Sequence, residues 1–172
     1  AFHPHLIFPL LPFSRSPVLL FSRSPFPFPL SSSCMKMTPP IFSEPWASAC
    51  AALINASVAY RNAALHWEGG VLLLMAPTGG VERRVFLDLW HGECREARVA
   101  KAEDAEASRY IMAGDVEAWR QVLGGRTPPM LAFMTGKLKL TKGSLLELLP
   151  YVQAARELVA AVAAVEADWA GA

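Results

Sequence analysis

Three short segments of strand character follow one another between residues 71 and 100, joined by links too short to carry a chain across a sheet. Residues 71–75 are an unbroken apolar run between Gly69-Gly70 and the Pro-Thr-Gly-Gly of residues 77–80. That length and those borders favour a buried strand over a helix. Residues 84–90 read as a second strand, His91-Gly92-Glu93 as a turn, and residues 94–100 as a third strand. Three strands linked this tightly can only run up and down, so they predict an antiparallel meander.

Helical signals flank the meander. Ser43 is placed to cap a helix with Pro45 in its first turn, and Trp46, Cys50, Leu53 and Ile54 recur at helical spacing. After the meander, residues 103–106 read as a polar connection and residues 107–113 as a fourth strand. Asp115 then caps a helix whose apolar face is Val116, Trp119, Val122 and Leu123, and Gly124-Gly125 stop it. Pro128-Pro129 precede a short helix over 130–134. Residues 137–141 alternate perfectly, which predicts a half-buried fifth strand with its lysines in water. Ser144 and Glu147 stand at capping-box spacing. Beyond Pro150, Val152, Ala155, Val159 and Val162 line one face of a long terminal helix.

The first 36 residues are different in kind. Seven of the 14 prolines precede Met35, and the first acidic residue is Glu44. A helix does not survive that proline density, and so Pro/Ser-rich a stretch has no periodic face to bury. Residues 1–36 are therefore expected to be a disordered extension or a miscalled start, with residues 37–172 forming the domain.

Charge and cysteine content narrow the function. The formal net charge is +1 and the lysines and arginines form no basic stripe, so nucleic acid is not the expected partner. No run reaches the roughly 18 apolar residues of a membrane helix, so no stable membrane span is expected. Cys34, Cys50 and Cys94 fit neither a disulfide framework nor a zinc spacing, which points to a cytoplasmic location. His91 and Cys94 are three residues apart but no further ligand lies near, so no metal and no cofactor is expected. Cys94 with His66 or His91 would make a nucleophile and base without a visible third member. The stretch from Gly136-Lys137 to Lys142-Gly143-Ser144 fails as a phosphate loop, because an alternating strand fills its middle and the order ends Lys-Gly. Asp88, Glu93, Glu96 and Asp104 form no paired-carboxylate motif. What stands out instead is a group of large, adaptable apolar side chains. Tyr110, Met112, Trp119, Met130, Phe133 and Met134 lie within about 25 residues, and such residues suit either a ligand pocket or ordinary core.

The stretch from Asp115 to Ser144 resembles the sterol-carrier-protein type 2 lipid-binding domain. The resemblance rests on Trp119, Leu123-Gly124-Gly125, Pro128, Ala132-Phe133-Met134, residues 136–140 (Gly-Lys-Leu-Lys-Leu) and Lys142-Gly143. A weaker likeness runs upstream through Trp46, Asn55, Tyr60, Ala63-Ala64, Trp67-Glu68-Gly69 and residues 87–92. It implies an α+β fold: a five-stranded, largely antiparallel sheet with helices packed on one face and an apolar tunnel between. It implies non-catalytic binding or carriage of a fatty acid, acyl-CoA, sterol-like or isoprenoid lipid. The ligand-binding side chains expected on this basis are Phe86, Tyr110, Met112, Trp119, Met130, Phe133, Met134 and Leu138. The helix after Pro150 replaces the family's short end and is placed to cover or plug the tunnel. A homodimer is compatible with this reading. Its rivals are an accessory protein that holds an enzyme or a quinone-type intermediate through the same fold, and a small Cys/His enzyme.

Overall fold

The meander forms the greater part of one sheet. The structure, a computed structural model, describes residues 38–76 and 81–170. The expectations for residues 1–36 and for the turn at 77–80 lie outside the described residues. Strands β1 (Glu68–Ala76), β2 (Arg83–Trp90) and β3 (Glu93–Val99) pair antiparallel in sequence order. The β2–β3 loop is two residues, His91 at φ 47° and Gly92 at φ 83°. Positive φ at both central positions is the hairpin geometry that follows the twist of the strands. A side chain at Gly92 would also meet the Arg61 carbonyl at 2.5 Å.

The fourth and fifth strands do not extend the meander from its end. The sheet order is β3-β2-β1-β4-β5, with β4 (Tyr110–Asp115) parallel to β1 and β5 (Leu138–Lys142) antiparallel to β4. The sheet is thus largely antiparallel around one central parallel pair. To reach β1, the chain leaving β3 must cross the sheet, and a short helix, α3 (Asp104–Ala107), lies in that crossing. Ala107 therefore ends a helix, and the fourth strand begins three residues later than the alternation of 107–113 predicts. Ser108 sets the boundary: its amide and hydroxyl both donate to the Asp104 carbonyl, at 2.8 and 2.6 Å.

Strand alternation divides the sheet into two faces. Val71, Leu73, Met75, Val85, Leu87 and Leu89 join the main core under the larger helices. Leu72 and Phe86 point the other way, toward the α3 crossing. There the Arg98 guanidinium lies 5.1 Å from the Phe86 ring centre and pairs with the buried Asp104.

Helix α1 (Glu44–Ala56) is capped by Ser43 and packs on β3. Its buried arc is Trp46, Ala47, Cys50 and Ile54, which leaves Leu53 on the edge at 36% exposure. Asn55 fastens it to the sheet, donating to the Cys94 carbonyl at 2.9 Å and accepting from the Cys94 amide at 2.7 Å. A short helix α2 (Val58–Ala63) follows, capped by Ser57. Asp115 caps α4 (Val116–Leu123), accepting from the Ala118 amide at 2.7 Å. Helix α5 (Pro129–Met134) begins at the Pro pair. At α6 (Leu145–Leu148) the capping box does not form: Ser144 makes no side-chain cap bond, and Glu147 accepts from the Tyr110 hydroxyl at 3.3 Å. A 3₁₀ turn at Leu149–Tyr151 absorbs Pro150 and leads into α7 (Val152–Ala163), which packs against α1, α2, α4 and α5. None of the described helices is long and apolar enough to cross a membrane.

Candidate functional site

Between the sheet and the helices lies a cavity of about 390 Å³, within the roughly 300–1,000 Å³ usual for ligand sites. Its floor comes from three strands: Val71 of β1, Leu89 of β2 and Met112 of β4. Met130 and Phe133 of α5 form one wall, with Leu148 of α6 beside them. Helix α7 roofs it with Val152, Ala155 and Leu158. On α7 the small side chains of Ala154 and Ala155 border this space. Methionines at 112 and 130 add walls that can re-shape around an occupant.

Tyr60 and Trp67 close the cavity elsewhere. Trp67 is held by rings on two sides, Tyr110 at 5.3 Å and Tyr151 at 5.0 Å between centroids. Its indole N–H donates to the Gly69 carbonyl at 3.0 Å, and the Tyr151 hydroxyl donates to the His66 carbonyl at 3.1 Å. These bonds satisfy the polar edges of Trp67 and Tyr151.

Of the side chains expected to meet a ligand, Met112, Met130 and Phe133 line this cavity. Tyr110 stands one layer behind it, against Trp67. Leu138 is buried beside Gly114, so close that a Cβ on that glycine would lie 2.5 Å from it. Trp119 belongs to the core: it is 3% exposed, its ring lies 5.6 Å from that of Phe42, and its N–H donates to the Leu74 carbonyl at 2.9 Å. Phe86 faces the opposite side of the sheet, since its neighbours Val85 and Leu87 face the helices. Met134 is 73% exposed, because the inward arc of α5 runs through Pro129, Ala132 and Phe133. The roof residues of α7 and the floor residues Val71 and Leu89 were not among the candidates. They read only as periodic apolar positions, and periodicity does not separate a residue beside a void from one beside a neighbour.

Cys94 and His91 are each bonded to a different backbone carbonyl. Burial, with the Asp88 carboxylate adding to it, pushes the Cys94 thiol up to about 12, and burial does the same to Cys50. Both thiols therefore stay protonated at neutral pH. Cys94 donates to the Glu96 carbonyl at 3.4 Å, whereas His91 donates through Nδ1 to the Leu65 carbonyl at 2.6 Å, with Nε2 3.2 Å from Glu68. No group of three or more His, Cys, Asp or Glu among the described residues could hold a metal ion. In a Cys34→Ser variant, neutral-pH alkylation of the folded chain should be slow and should accelerate on unfolding. A thiol that reacts at once in the folded protein would return Cys94 to consideration as a nucleophile.

Comparison with known proteins follows the same lines. The model of the SCP-2 sterol transfer family matches residues 52–146. A crystal structure of sterol carrier protein 2 is 40% identical, covers 73% of this chain and 98% of its own, and superposes with a TM-score of 0.67. A solution structure of a conserved hypothetical protein from Thermus thermophilus, described as possibly sterol carrier protein, is also 40% identical, with 74% and 91% covered and a TM-score of 0.67. Among curated proteins, none matches the chain.

Proposed function

This chain belongs to the SCP-2 sterol transfer family, and we propose that its cavity binds and carries a lipid-like molecule without performing chemistry on it. The observation that carries this reading is the cavity itself: about 390 Å³, walled by methionine, aromatic and aliphatic side chains from the sheet, α5 and α7. Transfer of apolar surface out of water supplies roughly 25 cal/mol per Å², before the costs of association. Fatty acyl and isoprenoid chains suit such a space, since their free energy of binding accumulates along the chain. We place the protein in the cytoplasm and assign binding to residues 37–172.

The test is solvent extraction of the purified protein followed by mass spectrometry, with displacement of an uncharged fluorescent probe by defined lipids. A co-purifying lipid and displacement at micromolar concentration are expected, for the full chain and equally for a chain begun at Met35. Failure of fatty acids, sterols and isoprenoids alike would remove the lipid reading.

A further inference from the structure

One wall residue of the apolar cavity carries a charge. Among the described lining residues Arg156 alone is ionised, and it is also exposed to solvent. A side chain that both lines a cavity and meets water stands at its opening. Ala155 and Leu158, on either side of it in α7, line the interior, so the aliphatic stem of Arg156 follows the wall while its head reaches solvent. The guanidinium makes no hydrogen bond or ion pair among the described residues. Helical geometry explains why: the positions three and four away on α7 are Val152, Gln153, Val159 and Ala160, none of them acidic. The neighbouring Glu157 accepts instead from Gln153 at 2.6 Å. A purely apolar occupant would leave the guanidinium to water alone.

Building on the lipid reading above, we propose that Arg156 is the head-group anchor, and that the ligand is a long-chain carboxylic acid whose tail fills the cavity and whose carboxylate pairs with the guanidinium at the opening. Planar guanidinium and carboxylate match in a two-bonded fork, which lysine cannot reproduce. The site therefore selects by head group as well as by chain, in contrast to a purely apolar tunnel. Arg156 lies beyond residues 52–146, the part matched by the family model, so this selection belongs to the terminal helix of this chain.

The experiment compares hexadecanoic acid, hexadecanol and methyl hexadecanoate as displacers of an uncharged probe at neutral pH, on the full chain and on its Arg156→Gln and Arg156→Lys variants. The unaltered chain should bind the acid about tenfold tighter than the alcohol, since the pair is part-solvated. Arg156→Gln should weaken the acid alone and bring the two within about twofold. Arg156→Lys should keep an intermediate preference. Equal binding of acid and alcohol by the unaltered chain, or an acid preference that survives Arg156→Gln, overturns the anchor while leaving the lipid reading standing. If none of the three binds, the anchor falls, and the lipid reading then rests on the sterols and isoprenoids of the displacement test above. Arg156 is exposed, so the variants should melt with the unaltered chain, which separates an altered site from an altered fold.

Discussion

Ala155→Phe should close the cavity to long-chain lipids while leaving the fold intact. Ala155 lines the cavity from α7, and the space before it is about 390 Å³. A benzyl group inserted into packed core costs about 1–3 kcal/mol. Here it enters empty apolar space and gains dispersion contacts with walls such as Met112 and Phe133. The ligand loses what the ring takes. Displacing about 100 Å² of buried acyl surface forfeits about 2.5 kcal/mol at 25 cal/mol per Å², close to a hundredfold in affinity. Displacement titrations should show that loss for a 16-carbon acid and a smaller one for an eight-carbon acid, with an unchanged or slightly raised melting temperature. Unchanged 16-carbon binding would show that the ligand sits elsewhere. A large fall in stability would show that the space is not available to a side chain.

Arg98→Ala should cause the largest loss of stability, and it should leave ligand binding untouched. Arg98 and Asp104 join β3 to the crossing that delivers β4 to the centre of the sheet. The Arg98 Nη2 donates to the Asp104 carboxylate at 2.8 Å, and the Lys101 amide donates to it at 2.6 Å. The Asp104 side chain is only 4% exposed. Removing the guanidinium leaves that carboxylate buried with a single amide, and it uncovers Phe86. Breaking a fully buried pair costs about 3–5 kcal/mol; Arg98 retains some contact with solvent, so about 2–4 kcal/mol is expected. Urea unfolding at neutral pH measures it, and a loss below about 1 kcal/mol would deny the pair its structural role.

The same pair sets an acid dependence. The Arg98 bond, followed by the Lys101 amide, holds the Asp104 carboxyl below its ordinary value. Its folded value therefore lies below its unfolded one. The stabilisation is fully present above about pH 4 and drains as pH falls through the folded value. Asp104→Asn should be less stable than the unaltered chain at pH 7, and the gap should narrow in acid. A gap that stays constant from pH 7 to pH 3 would mean that the charge of Asp104 contributes nothing.

The sequence by itself determined the local elements. The meander was legible because period-two patterning and short links leave one arrangement. Asp115 and Ser43 announced their caps because an N-cap is a bond to a backbone amide two or three residues away. The block from Trp119 to Gly143 carried the family, and with it the cavity residue Phe133; Met112 and Met130 were legible as large adaptable side chains. Tertiary structure decided the rest. Nothing local distinguishes Ser144, which misses its capping bond, from Ser43, which makes one; the competing partner of Glu147 is Tyr110, 37 residues away. The parallel β1–β4 pairing depends on a crossing whose anchor, Arg98 to Asp104, reads in sequence as two surface charges. Trp119 and Phe133 are equally apolar and both stand on inward helix faces, yet one is packed by Phe42 and the other borders a void. A void is what remains after side chains from the sheet and several separate helices have filled the space between layers, so its position follows from their summed volumes and from no single segment.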